Sequence, residues 1–140
     1  MGQLHELRLR SNTFVANMDQ HIEDSILSTD YLLLDLNREQ MKERQVTAED
    51  TPIMPEYSPH WKQIKGLKNP NLYATGQFQK KLKMDVSDSK YLIKSQDWKN
   101  EKLTNKYKGI FGIAPSNQPK AKQITFSAFS KRYLKDVFLK

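Results

Sequence analysis

The side chains that most often carry out chemistry in proteins are few in this sequence and stand far apart. The chain of 140 residues has no cysteine, which excludes disulfides, thiolate catalysis and cysteine-bound zinc. Its three histidines, His5, His21 and His60, lack the HxxxH and HExxH spacings that bring two imidazoles to one face of a helix. We therefore expect no metal site.

The sequence also offers no clear site for acid–base catalysis or for phosphate binding. Acidic side chains cluster in residues 19–50, but no nucleophile or base stands at a matching position. The five glycines form neither a GxGxxG nor a GxxxxGK[ST] phosphate-binding loop. The sequence thus predicts a protein that is not an enzyme, with no catalytic residues and no cofactor.

Charge is divided unequally along the chain. Residues 1–60 carry 5 basic and 11 acidic side chains, whereas residues 61–140 carry 18 basic and 5 acidic ones. If the two parts lie on different faces, copies of the chain could attract one another head to tail, as in a ring. The alternative is that both sets of charges simply face water.

Lysines alternate with aromatic residues in the first half of the basic part. Because lysines neutralise phosphates and aromatic rings stack on unpaired bases, this pattern is also typical of nucleic-acid binding. Arg132 is the only arginine after position 60, and base readout favours arginine, so any contact with DNA is expected to be non-specific. The candidate DNA- or partner-facing residues are Lys62, Lys65, Lys80, Lys81 and Lys83.

Length and hydropathy indicate a single domain with a modest core. The chain is 37% hydrophobic and has a mean hydropathy of −0.78, so many side chains face water. The longest apolar run, residues 31–34, is too short to span a bilayer, and residues 1–10 lack the apolar stretch of a signal peptide. We expect no membrane contact.

Apolar periodicity predicts a helical N-terminal part, residues 1–45. Residues 1–10 show no period and are predicted to be an arm. Residues 12–44 indicate one long helix, or two helices with a break near residues 28–30. The apolar stripe consists of Phe14, Met18, Ile22 and Ile26. An irregular connection, residues 46–71, follows and contains prolines and acidic side chains.

Residues 72–140 combine one hairpin with helices, which makes the predicted class α+β. The strands are residues 83–87 and 91–93, joined by a turn at Asp88 and Ser89. The hairpin forms a small antiparallel sheet.

Three further segments follow the hairpin. We expect a short helix over residues 101–108, a buried apolar segment at residues 110–113 and an exposed loop at residues 114–122. Thr125 is predicted to cap the C-terminal helix. That helix has an apolar stripe that faces the core or, alternatively, an interface. The stripe consists of Phe126, Phe129, Tyr133 and Val137.

A structural corner is predicted between the acidic and basic parts. Thr75 is a candidate helix cap, and Gly76 allows a sharp turn just before the hairpin. With Leu72 and Phe78 they form the pattern Leu-x-x-Thr-Gly-x-Phe. This pattern and the order of elements resemble those of the tailed-phage virion-morphogenesis family of neck and tail-completion proteins. A version in phages of Bacteroidetes hosts is also similar at Asn37, Glu39, Gln40, Tyr57, Ser58 and Lys65.

The resemblance covers residues 37–113 and implies a structural subunit of a phage virion. Such a subunit is made in the host cytoplasm and joins a ring of six or twelve copies at the head–tail connector, or neck, near the portal vertex, or completes the tail. Its partners would be other copies of itself and the portal or other neck and tail proteins. The alternative is a basic nucleic-acid-binding or DNA-packaging accessory protein.

Overall fold

The computed structural model describes residues 2–139 and has the α+β fold predicted from the sequence. Helices surround one two-stranded antiparallel sheet in this part of the chain. The elements in chain order are α1 (Gly2–Ala16), α2 (Met18–Ser28), α3 (Asp30–Lys42), α4 (Pro59–Lys65), α5 (Gln77–Lys80), β1 (Leu82–Ser87), β2 (Lys90–Ser95), α6 (Asn100–Lys106) and α7 (Gln118–Tyr133). A 3-10 turn (Pro115–Asn117) precedes α7, and a π-helical turn (Leu134–Phe138) continues it.

The N-terminal segment is a helix and not an arm. The prediction for residues 1–10 is wrong for the described residues, because α1 begins at Gly2. Near the end of α1, Phe14 is buried and meets the rings of Phe129 and Tyr133 edge-on, at centroid distances of 5.4 and 5.2 Å. Helix α1 thus packs against the far end of the chain, but Phe14 is the one buried residue described in it, so its sequence shows no apolar stripe.

The predicted helical stretch over residues 12–44 is divided at two positions. The break expected near residues 28–30 is confirmed at Thr29, and a second break occurs at Asn17. The Thr29 hydroxyl donates to the carbonyl oxygen of Ser25 at 2.8 Å. Such bonds from hydroxyl to backbone compete with the helical pattern and bend helices. Three helices therefore stand where one or two were expected.

The hairpin is confirmed. Asp88 and Ser89 have φ values of 50° and 57°, the left-handed conformations that match a two-residue turn to the twist of its strands. Side chains alternate across the sheet, so that Leu82, Met84 and Ile93 are buried on the inner face. The inner face packs against α2 and α3.

The main hydrophobic cluster of buried residues runs along the chain from Ile26 to Ala121. Burial at residues 110–113 is confirmed for Ile110 and Ile113, which are 2% and 5% exposed. The largest fully buried apolar side chains are Leu33, Met41, Ile53, Leu82, Ile110 and Val137.

Two buried amides of α3 hold the extended segment that follows α6. Asn37 Nδ2 donates to the carbonyl of Ile110 at 2.9 Å, and its Oδ1 accepts from the amide of Gly112 at 3.2 Å. Gln40 Nε2 donates to the carbonyl of Gly112 at 2.9 Å, and its Oε1 accepts from the amide of Ala114 at 2.8 Å. We call these four bonds the amide clamp.

The C-terminal helical region begins earlier than predicted. The expected loop at residues 114–122 is wrong, because the 3-10 turn and the start of α7 occupy it, and Thr125 lies inside α7. The cap is supplied instead by Asp50, whose carboxylate accepts from the amide and the hydroxyl of Ser116, both at 2.7 Å. Pro119 stands in the first turn of α7, where no backbone donor is needed.

The apolar stripe of α7 faces the core only in its C-terminal half. Val137 is fully buried, and Phe129 and Tyr133 contact Phe14. Phe126 is 69% exposed. The core-facing interpretation therefore holds beyond Phe126, and Phe126 itself remains available for contact.

Candidate functional site

The corner segment, residues 72–78, carries the chain from the connection into α5 and β1. Leu72 has a φ of 57° and Gly76 a φ of 84°. Left-handed backbone is costly for a residue with a side chain and open to glycine, so neighbouring contacts must hold the reversal at Leu72. The ring of Phe78 is buried and stacks on Phe111 at a centroid distance of 5.9 Å, which closes the corner on the core.

Gly76 makes the predicted sharp turn with its left-handed backbone, but the cap predicted for Thr75 is wrong. Gly76, and not Thr75, takes the N-cap position of α5. The Thr75 hydroxyl accepts the amide of Gln77 at 3.4 Å. A Cβ placed on residue 76 would lie 2.9 Å from the ring of Tyr73. The turn is therefore covered by the Tyr73 ring.

Asn71 supports the reversal at the start of the corner segment. Its Oδ1 accepts the Tyr57 hydroxyl at 3.3 Å and the Tyr73 amide at 3.2 Å. Its carbonyl accepts Gln79 Nε2 at 2.7 Å. Burial raises the pKa of the Tyr57 phenol above its ordinary value, so this hydroxyl stays protonated and can donate. Hydrogen bonds made by Asn71 and Tyr73, the residues on either side of Leu72, thus hold its strained backbone in place.

A depression of about 420 Å³, which we call the aromatic cleft, lies among α4, the corner segment and α6. Phe78 and Tyr107 are buried and form its inner part, whereas Trp61 and Tyr73 are 50% and 37% exposed and form its edge. Its size falls in the range of sites that bind compact groups. The residues that define it are Tyr57, Trp61, Tyr73, Phe78 and Tyr107, together with Lys65, Lys99 and Lys106.

Three lysines make the aromatic cleft electropositive. Lys65 Nζ donates to the carbonyl oxygen of Tyr73 at 2.7 Å, which fixes one ammonium group beside the corner segment. Lys106 Nζ lies 5.3 Å from the ring centroid of Tyr107. No ion pair among residues 2–139 involves Lys65, Lys99 or Lys106. Glu56 also lines the cleft, but its carboxylate pairs with Lys62 and Lys68. The cleft therefore combines aromatic surface with three lysines that form no ion pair within residues 2–139.

A second depression lies on the other side of Tyr73, against α3. It is open, with a volume of about 710 Å³, and Lys42 Nζ lies 4.2 Å above the Tyr73 ring centroid. Arg38 and Lys42 alternate there with Glu39 and Glu43. Because its charges are mixed, this depression favours neither an anion nor a cation.

The two predicted lysines of α4 have different environments. Lys65 lines the aromatic cleft, as described above. Lys62 Nζ pairs with the Glu56 carboxylate at 2.8 Å, and this hydrogen bond holds the pKa of Glu56 below its ordinary value. Lys62 is thus already neutralised within the chain.

The other three predicted lysines lie away from the aromatic cleft. Lys80 lines the second depression. Lys81 Nζ lies 4.0 Å from a carboxylate oxygen of Asp97. Lys83 stands opposite Lys94 in the hairpin register. Of the five predicted lysines, Lys65 alone lines the aromatic cleft.

Sequence reasoning did not select the contribution of α6 to the site. Lys99, Leu103, Lys106 and Tyr107 all line the aromatic cleft. Leu103, Lys106 and Tyr107 follow Lys99 by four, seven and eight residues, which is the spacing of one helical face. This spacing in the sequence could have identified all four residues.

The described residues hold no candidate for a metal centre or a membrane-spanning helix. No three His, Asp or Glu side chains among residues 2–139 come together in a way that could hold a metal ion. No helix in the described part of the chain has the length and apolar character needed to cross a membrane.

Comparisons with protein-family models, with curated proteins and with solved structures find no match to the chain. The family resemblance of the corner segment therefore stays a prediction.

Proposed function

We propose that the protein is a structural subunit of a phage virion. It forms part of a ring of six or twelve copies at the head–tail connector, or neck, or completes the tail, in contact with the portal or other neck and tail proteins. The observation that carries the proposal is the corner segment, with Leu72, Thr75, Gly76 and Phe78 at the family spacing between a helical part and a hairpin.

The exposed apolar side chains support an assembling protein. Trp98 is 83% exposed, Phe126 69% and Leu92 66%. Single exposed apolar residues are ordinary, but aromatic residues are enriched where proteins contact one another. A ring subunit covers part of such surface with its neighbours.

Mass measurement of the purified protein and of the particle tests this proposal. We expect native mass spectrometry or analytical ultracentrifugation to show a closed oligomer of six or twelve copies, and peptides of this chain to be found in purified virions. A chain that remains monomeric at high concentration and is absent from the particle would contradict the proposal.

A second candidate function is binding of single-stranded nucleic acid. It is favoured by one observation: Trp61, Tyr73 and Tyr107 meet Lys65 and Lys106 in the aromatic cleft. Aromatic rings in an electropositive groove bind unpaired bases with little sequence preference.

Fluorescence anisotropy with a labelled oligonucleotide tests this second function. Binding should fall steeply between about 50 mM and 200 mM salt, because phosphate contacts release counterions. It should also fall in Trp61→Ala but persist in Phe126→Ala, a matched loss of an exposed aromatic residue elsewhere. Absence of binding at about 50 mM salt would exclude it.

A further inference from the structure

An open groove of about 490 Å³, which we call the apolar groove, lies among α2, the start of α3, β2 and α7. Its deepest part is formed by Ile26, Leu33 and Ala121, which are 5%, 1% and 6% exposed. The ring of Phe126 stands at its edge and is largely exposed. No acidic side chain among residues 2–139 lines this groove. It therefore differs from the aromatic cleft both in place and in chemistry.

Three polar side chains line the apolar groove and lack a partner. The Tyr91 hydroxyl, the Lys122 ammonium group and the Thr125 hydroxyl make no hydrogen bond or ion pair within residues 2–139. Burial raises the pKa of the Tyr91 phenol above its ordinary value, so this hydroxyl stays protonated and can donate. Gln118 is already engaged, because its Nε2 donates to the carbonyl oxygen of Ile113 at 2.9 Å. A ligand that fits the groove must therefore present hydrogen-bond acceptors to these donors.

The charge of α7 selects among possible ligands. This helix carries four basic side chains and no acidic one: Lys120, Lys122, Lys131 and Arg132. Arg132 pairs with Asp24 at 3.0 Å, whereas the three lysines form no ion pair within residues 2–139. Two α7 helices would repel each other, so a second copy docked through this helix is disfavoured. The groove favours an anion with an apolar body.

We propose that the apolar groove binds a medium-chain fatty acid. Its carboxylate accepts hydrogen bonds from the Lys122 ammonium group and the Tyr91 hydroxyl. Its alkyl chain packs against Ile26 and Leu33 and covers the exposed ring of Phe126. An apolar lining with a few polar groups that fix orientation is the usual construction of a small-molecule site, and the volume of the groove falls in the range of such sites. The site does not depend on ring assembly.

Isothermal titration calorimetry of the full-length protein with sodium decanoate, below its micellar concentration, tests the ligand chemistry. Decanol and decyltrimethylammonium keep the alkyl chain but lose or reverse the charge. Both should bind about tenfold more weakly than decanoate, because they cannot accept from a charged donor as a carboxylate does. Octanoate should also bind more weakly, by about fourfold for each CH₂ group that the groove would have buried.

Single substitutions test the two donors. Lys122→Gln and Tyr91→Phe should each weaken decanoate binding about three- to tenfold. Lys120→Gln removes the same charge from α7 outside the groove and should leave binding unchanged. Trp61→Ala, in the aromatic cleft, should also leave it unchanged. Urea titration checks that the variants are folded, and Tyr91→Phe loses no hydrogen bond of the free protein.

Methyl NMR spectra locate the ligand and decide between occupants. Decanoate should shift the methyl signals of Ile22, Ile26 and Leu33, which line the groove, and leave the indole signal of Trp61 in place. Shifts at Trp61 without shifts in the groove would overturn the site, and equal binding of decanol would overturn the role of the carboxylate. Groove signals that move with protein concentration in the absence of decanoate would assign the groove to a second copy and also overturn the proposal. None of these results depends on whether the chain forms a ring.

Discussion

Asn37 Nδ2 donates a hydrogen bond to the carbonyl oxygen of Ile110 at 2.9 Å, although the two residues stand 73 positions apart. The same side chain accepts the amide of Gly112, and Gln40 repeats the arrangement one helical turn later. Helix α3 therefore satisfies the backbone of an extended segment in the way that a neighbouring strand would.

Removal of the Asn37 amide should destabilise the fold strongly. Asn37→Ala leaves the carbonyl of Ile110 and the amide of Gly112 buried without partners, and each unpaired group costs about 1–3 kcal/mol. We expect the free energy of unfolding to fall by about 2–4 kcal/mol in urea titration. Asn105→Ala, on the exposed side of α6, should change it by less than about 0.5 kcal/mol. Equal effects of the two variants would contradict the role given to the amide clamp.

Alanine at Gly76 should cost more than alanine at Gly66. Both glycines have left-handed backbone, with φ values of 84° and 69°, so both substitutions carry a backbone cost of about 1 kcal/mol. Only at position 76 would the new Cβ also meet the Tyr73 ring, at 2.9 Å. In a Tyr73→Ala background the excess cost at Gly76 should disappear, and chemical denaturation of the four variants measures this. An excess that persists would place the strain elsewhere than at the ring.

Acid should weaken the cap that Asp50 provides. The two hydrogen bonds from Ser116 hold the pKa of Asp50 below its ordinary value of 3.8. A lowered pKa in the folded state means that the cap stabilises the fold above the unfolded value and is lost as pH falls through the folded value. The stability difference between the wild type and Asp50→Asn should therefore shrink as pH falls from about 5 to about 2. Urea titrations across this range test it, and a difference that stays constant would contradict the cap.

Loss of the Tyr57 hydroxyl should loosen the corner segment. That hydroxyl donates to Asn71 Oδ1 at 3.3 Å and accepts the Asn71 amide at 3.4 Å. Both bonds are long, so we expect Tyr57→Phe to cost about 0.5–1.5 kcal/mol. Tyr91→Phe is the control, because the half-buried hydroxyl of Tyr91 makes no hydrogen bond within residues 2–139 and its loss should cost less. Thermal unfolding of the two variants gives the comparison.

Elements that depend on contacts between residues near in sequence could be predicted from local sequence patterns. The hairpin was predictable because Asp88 and Ser89 accept left-handed backbone and the strands on either side alternate. The break at Thr29 was predictable for the same reason, since its hydroxyl bonds within its own helix. Both features depend on residues only a few positions apart.

Distant partners account for the errors. The helical N-terminal segment looked like an arm because Phe14 is the one buried residue described in α1, and its contacts with Phe129 and Tyr133 are distant in sequence. The start of the C-terminal helical region was misplaced because its cap, Asp50, lies 66 positions before Ser116. Contacts between residues so far apart in the chain cannot be predicted from a local sequence pattern.

The aromatic cleft could be predicted only in part. Alternation of lysine with aromatic residues marked the region, and Lys65 was selected. Lys106 and Tyr107 come from a helix that is distant in sequence from the corner segment, so their place in the cleft depends on the tertiary fold. The other four predicted lysines do not line the cleft, because their positions on α4, near α5 and in the hairpin give them different surroundings.

The amide clamp also determines where the chain can tolerate change. Asn37 and Gln40 bind only main-chain atoms of the segment from Ile110 to Ala114. The clamp therefore places no demand on side-chain identity in that segment, and selection for it acts on two positions of α3. Gly112 is the exception, because a Cβ there would lie 2.9 Å from that of Ala48. The clamp thus fixes the path of the segment, whereas burial of Ile110, Ile113 and Ala114 in the core restricts their side chains.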